Sequence, residues 1–136
     1  MDNKFFEKIR IFDGGMGQEL LSKGLISKGT LWSASALIEK EFHKLVIDAH
    51  ISYINAGADI IVTNNFSARK IRFIQNKVLD KFQYANEQAG ILANKAREIT
   101  KQNILIAGSL PSQSDTYVED ARSSSEIQSD FEEQAK

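Results

Sequence analysis

Cysteine is absent from the 136 residues. That gap excludes disulfides, a thiolate zinc site and a cysteine nucleophile. Long apolar runs are missing too. The opening stretch MDNKFFEKIRIFDGG lacks the roughly seven uninterrupted apolar residues of a signal peptide, and nothing approaches the roughly 18 needed to cross a bilayer. The expectation is a cytoplasmic protein with no membrane partner. An excess of charge of one sign is also lacking, since 17 basic residues against 18 acidic ones give a net charge of -1. Nothing in that balance draws the chain to nucleic acid, and no nucleic-acid partner is expected.

What is present suits one ordinary domain. With 42% hydrophobic and 26% charged side chains, the chain is able to bury a core. Its periodicity alternates between strand and helix. Ile11-Phe12 reads as a first strand ending in Asp13-Gly14-Gly15, followed by an amphipathic stretch from about Met16. From Glu41 the positions Phe42, Leu45, Val46, Ala49, Tyr53 and Ile54 trace one face of a helix, which Asn55-Ala56-Gly57 stops. ADIIVTNN is a β-branched run that reads as a strand buried on both faces. A long helix is expected from about Asn76 to Lys101, then NILIAGSL as a third buried strand. Strands separated by helices of this length are the pattern of parallel βα units.

The tail begins another helix. Ser123 and Glu126 are spaced as a capping box, and Ile127, Phe131 and Ala135 fall on one face. Residues 115–136 carry seven acidic groups against two basic ones, the composition of a solvated helix face and its first turn.

In parallel α/β proteins ligands sit at the C-terminal ends of the strands. Here those ends carry Asp13-Gly14-Gly15, Thr63-Asn64-Asn65 and Gly108-Ser109. An aspartate there accepts hydrogen bonds from an ammonium, and bare glycine amides donate to a carboxylate. The spacing GGMG does not match G-x-G-x-x-G, so no dinucleotide site is indicated. The uncharged hydroxyl and amides of Thr63-Asn64-Asn65 suit either a polar ligand or a cap for the next segment. His43 and His50 share a helix face but stand about 10 Å apart along its axis, too far for one metal, and read as packing or surface residues. Trp32, in TLWSASAL, either covers a pocket or plugs the bottom of a barrel. Arg69-Lys70-Ile71-Arg72, beside Phe73, is thin support for a nucleic-acid site.

Four stretches in order, IFDGGMGQELLSKG, LWSASAL, YINAGADIIVTNNFSA and ILIAGSL, resemble the N-terminal part of the homocysteine S-methyltransferase family. That family includes betaine-dependent and S-methylmethionine-dependent enzymes and the homocysteine module of cobalamin-dependent methionine synthase. The resemblance implies an α/β fold, a TIM (β/α)8 barrel of about 250 residues. On that basis residues 1–136 are a partial homocysteine-binding barrel domain of about three βα units, truncated after the start of the third helix. It further implies that Asp13, Gly14 and Gly15 meet the amino-acid end of homocysteine, that Thr63 and Asn64 line the same pocket, and that Trp32 lies nearby. The substrates implied are homocysteine and a methyl donor, giving methionine.

Members of the family hold zinc on cysteines near the C-terminal strands, and the metal keeps the homocysteine thiol deprotonated. Those ligands are absent from this chain, so no metal-binding or catalytic residue is assigned and the chain alone is expected to be inactive. The alternative is a truncated, non-catalytic barrel remnant that binds an amino acid or a partner.

Overall fold

The computed structural model describes residues 3–114 and 119–135. Asp115 and Lys136, both part of the charge count in the tail, lie outside them. A short 3-10 turn, Asn3–Glu7, leads through residues 11–12 into helix α1, Met16–Ser22. A 3-10 segment, Gly29–Ala34, runs into the short helix α2, Ser35–Ile38, and a second, Lys40–Phe42, into helix α3, His43–Asn55. Strand β1, Ile60–Val62, comes next, then helix α4, Lys70–Gln75, a 3-10 turn at Leu79–Lys81 and helix α5, Phe82–Thr100. Strand β2, Leu105–Ala107, and helix α6, Ser124–Ala135, complete the order.

β1 and β2 pair in parallel, with Ile60, Ile61 and Val62 opposite Leu105, Ile106 and Ala107. The expected first strand is reduced to a single parallel bridge from Phe12 to Ile60. Only two apolar residues precede the Asp-Gly-Gly turn, and β1 is their one described strand neighbour, so Ile11 and Phe12 remain 59% and 57% exposed. β2 also departs from the reading of a fully buried strand. It is half-buried throughout, because among the described residues it has a strand on one side only.

The helix expected from about Asn76 to Lys101 starts later, as α5 at Phe82, behind the 3-10 turn Leu79–Lys81 and a separate helix, α4, that ends at Gln75. Lys77 adopts a left-handed φ of 58° and closes α4, with Val78 donating to the Phe73 carbonyl at 3.0 Å. The Lys77 and Val78 conformations break the helical path, and α5 starts at Phe82. α4 itself was not anticipated. Its Phe73 is fully buried and meets Phe82 edge to face at 5.6 Å.

α3 packs on α5 over the core. The buried side of α5 carries Ala85, Ala89, Ala93 and Ala96, and small side chains let helix axes approach closely. Gly57, at φ 103°, ends α3 as its position suggests, with Gly57 and Ala58 donating back to the Ile54 and Tyr53 carbonyls. Among the described residues no helix is long and apolar enough to cross a membrane.

The capping box of α6 forms as the spacing indicates. The Ser123 amide donates to the Glu126 carboxylate at 2.9 Å, and the Glu126 amide reaches the Ser123 hydroxyl at 3.4 Å. Its expected apolar face does not supply the anchor. Ile127 and Phe131 are half-buried and Ala135 is exposed, whereas Gln134 is 5% exposed.

His50 on α3 is wholly buried, and neither ring nitrogen has a hydrogen-bond partner. Burial lowers its pKa from 6.5 to about 4. Between those values the unfolded chain binds a proton that the folded chain does not, so stability falls as pH drops through the window. The full loss amounts to about 3 kcal/mol on the scale of 1.36 kcal/mol per pH unit. Urea midpoints at pH 7 and pH 4.5 are expected to differ accordingly, and His50→Leu is expected to remove most of that difference.

Candidate functional site

Segment 10–13 is fastened to β1 by two aspartates. The Asp59 carboxylate accepts from the Ile11 amide at 3.0 Å and from Arg10 at 3.2 Å, while the Asp13 carboxylate accepts from the Val62 amide at 2.9 Å. Between them the Ile60 amide donates to the Ile11 carbonyl and the Asp13 amide to the Ile60 carbonyl. This placement brings the Gly14-Gly15 turn beside the C-terminal ends of both strands.

A cleft of about 450 Å³ opens there, and Asp13, Gly14, Gly15, Trp32, Thr63 and Asn64 all line it. The six residues that the family resemblance assigns to substrate thus reach one cavity, whereas Asn65 and Gly108, at the same strand ends, do not line it. Gly17, Phe66 and Ser109 join the six.

Two contacts explain Gly14, which sequence reasoning left to a ligand, and Gly17, to which it gave no role. A Cβ at Gly14 would lie 2.9 Å from the Tyr53 ring, and a Cβ at Gly17 would lie 2.6 Å from the Trp32 indole. Gly14 is therefore required by a neighbouring side chain. Gly15 is different: a Cβ there would meet nothing within 4 Å, so its face opens on free space in the cleft. Tyr53 was visible in the sequence only as one more position on the helix stripe, with no sign that its ring turns toward the turn after Phe12.

Trp32 sits at φ 47°, ψ -122°, a backbone region a bulky L residue rarely adopts. Neighbouring bonds hold it there. The Asn64 amide donates to the Ser33 carbonyl at 3.1 Å, and Arg72 donates to the Thr30 carbonyl at 2.8 Å. The indole lies 38% exposed along the cleft and does not plug the barrel bottom.

The Asp13 carboxyl is pushed above its ordinary value of 3.8, chiefly by burial, with the hydrogen bond from the Val62 amide working in the opposite direction. Tyr53 is raised likewise by burial, then by the charges of Glu19 and Asp13. Because folding raises the Asp13 pKa, ionising it costs stability, and its contribution is lost as pH rises through the folded value.

The basic cluster is engaged within the fold. Arg69, 2% exposed, donates to the carbonyls of Ser112 and Ser114. Lys70 pairs with Glu133 at 2.7 Å, and Arg72 holds the Trp32 loop. His43 contacts the Leu37 carbonyl at 3.0 Å. Neither histidine lines the cleft.

The model of the homocysteine S-methyltransferase family matches residues 10–136. The chain is 30% identical over 111 residues to the homocysteine S-methyltransferase of Escherichia coli K12, covering 76% of this chain and 35% of that protein. It is 33% identical over 91 residues to homocysteine S-methyltransferase 3 of Zea mays, covering 65% and 26%. A solved structure, the homocysteine methyltransferase MmuM from Escherichia coli in its metallated form, superposes with a TM-score of 0.79 at 26% identity, over 98% of this chain and 51% of that one. The chain belongs to the homocysteine S-methyltransferase family. It spans 35% or less of the length of these curated relatives.

The glycine contacts are tested by a double-mutant cycle. Gly14→Ala is expected to destabilise by about 1 to 3 kcal/mol, as overpacking does. In a Tyr53→Leu background most of that cost should vanish, as read by thermal or urea unfolding.

Proposed function

We propose that this chain supplies the homocysteine-binding end of an S-methyltransferase, with residues 1–136 forming the first three βα units of a (β/α)8 barrel. The observation that carries the reading is the convergence of Asp13, Gly14, Gly15, Trp32, Thr63 and Asn64 on one cleft at the strand ends. In this reading the Asp13 carboxylate accepts from the ammonium of homocysteine. The substrate carboxylate lies against the open Gly15 backbone, and Trp32 flanks the ligand.

Zinc is the metal expected in an enzyme of this kind, where it holds the substrate sulfur as thiolate. The residues present do not fit such a centre. The chain has no cysteine, and among the described residues no three His, Asp or Glu side chains are grouped to hold a metal ion. A homocysteine thiol resting here keeps a pKa near 8.5, so only about a few per cent is thiolate at pH 7. The proposal is therefore binding without turnover by these residues alone.

Calorimetric titration tests the proposal. Homocysteine is expected to bind, and Asp13→Asn to weaken it by about tenfold or more, as loss of a charged hydrogen bond does. Binding should also weaken on acidification, through a range above 3.8, as the raised Asp13 carboxyl takes up its proton. Incubation with homocysteine and S-methylmethionine should yield no methionine. Absence of homocysteine binding would contradict the proposal.

A further inference from the structure

Behind Thr63 lies a chain of buried and half-buried side-chain amides that ends on α6. The Thr63 hydroxyl donates to Asn65 Oδ1 at 2.7 Å and accepts from the Ser109 amide at 3.1 Å. Asn65 Nδ2 donates to Asn86 Oδ1 at 3.0 Å, and Asn86 Nδ2 donates to the Ala68 and Phe82 carbonyls at 3.2 and 3.0 Å. Gln134 Nε2 donates to the Asn65 and Ala68 carbonyls at 3.1 and 3.3 Å and approaches Asn86 Oδ1 at 3.4 Å. Asn65 and Gln134 are 7% and 5% exposed.

The direction of this chain is determined by chemistry. A backbone carbonyl only accepts, so Asn86 must turn its NH2 toward Ala68 and Phe82 and its oxygen toward Asn65. Asn65 must then offer its NH2 to Asn86 and its oxygen to Thr63. The Thr63 proton is committed to Asn65, and one lone pair is taken by Ser109. The hydroxyl is left with a single acceptor site, and Thr63 lines both the cleft and the neighbouring cavity that holds Asn65, Asn86 and Gln134. Asn64 is oriented alike: its NH2 is given to the Ser33 carbonyl, which leaves its oxygen for other donors.

We infer that Asn65 is a positioning residue that, backed by Asn86 and Gln134, makes the β1 side of the cleft an acceptor wall selecting a ligand whose ammonium, the group assigned to the Asp13 carboxylate, also donates to Thr63. The inference rests on the amino-acid-binding reading for its ligand but not for the relay itself. α6 thereby bears on the site through Gln134 without lining the cleft.

Two measurements on the 136-residue chain separate these parts. By NMR without ligand, the Thr63 hydroxyl proton should be protected from solvent, and Asn65→Leu should abolish the protection. An unprotected hydroxyl in the parent, or one indifferent to Asn65→Leu, overturns the relay whatever the cleft binds. In the second, homocysteine is compared with 4-mercaptobutanoate, which has the same thiol and carboxylate but no ammonium. The parent should prefer homocysteine by at least about tenfold. Asn65→Leu and Thr63→Val should each reduce that preference several-fold, and the double variant should lose no more than either alone, because Asn65 acts through Thr63. Equal binding of both ligands by the parent, or additive losses, overturns the acceptor wall. If the parent binds neither ligand, the homocysteine reading and the ammonium selection both fail, and the hydroxyl measurement still decides the relay.

Discussion

Two carboxylates hold the architecture of the site together. Segment 10–13 shares only one bridge with β1. Asp59 takes up the Ile11 amide from one side, and Asp13 takes the Val62 amide from the other. The ion pair of Asp59 with Arg10 is partly solvated and contributes little by itself. What matters is that backbone donors which a longer ladder would satisfy are satisfied by side chains. Without this clamp nothing fixes the Gly14-Gly15 turn beside Thr63 and Asn64, and the cleft has no third wall.

The clamp also accounts for the aromatic contacts. Once the turn is held at the strand end, Tyr53 of α3 lies over Gly14, and the Trp32 indole lies on Gly17 one turn into the chain that follows. The Trp32 backbone is strained in reaching that position, and Asn64 restrains the next residue. Strand end, helix and loop are thus interlocked by contacts that tolerate no side chain at two glycines, while Gly15 keeps its open face for a ligand. The raised Asp13 carboxyl fits the same picture, a charge carried at some cost to stability where an ammonium would compensate it.

Much of this was legible in the sequence, and the failures have physical causes. The β-branched run at 60–62, the Gly57 stop and the Ser123 capping box are local signals, and each formed where its residues indicated. The six candidate residues came from the strand-end rule and from family resemblance, and the structure gathers them in one cleft. α4 was hidden because Arg69, Lys70 and Arg72 were weighed only as a basic cluster, although tertiary contacts engage all three. The break at Lys77 was invisible, since a lysine in the left-handed region carries no composition signal. The role of Gln134 was masked as well. Periodicity looks for apolar stripes, and this helix is anchored by an amide that finds its partners only in three dimensions.

The central claim is that an amino acid lies in the cleft with its ammonium at Asp13 and Thr63 and its carboxylate against the Gly15 backbone. Mapping amide chemical shifts of the chain during homocysteine addition tests it most directly. The account predicts saturable shifts concentrated at Gly14, Gly15, Ser33, Asn64 and Ser109. Shifts centred instead on Gln83, Glu87 and Gly90, which line the neighbouring cavity on α5, would contradict it.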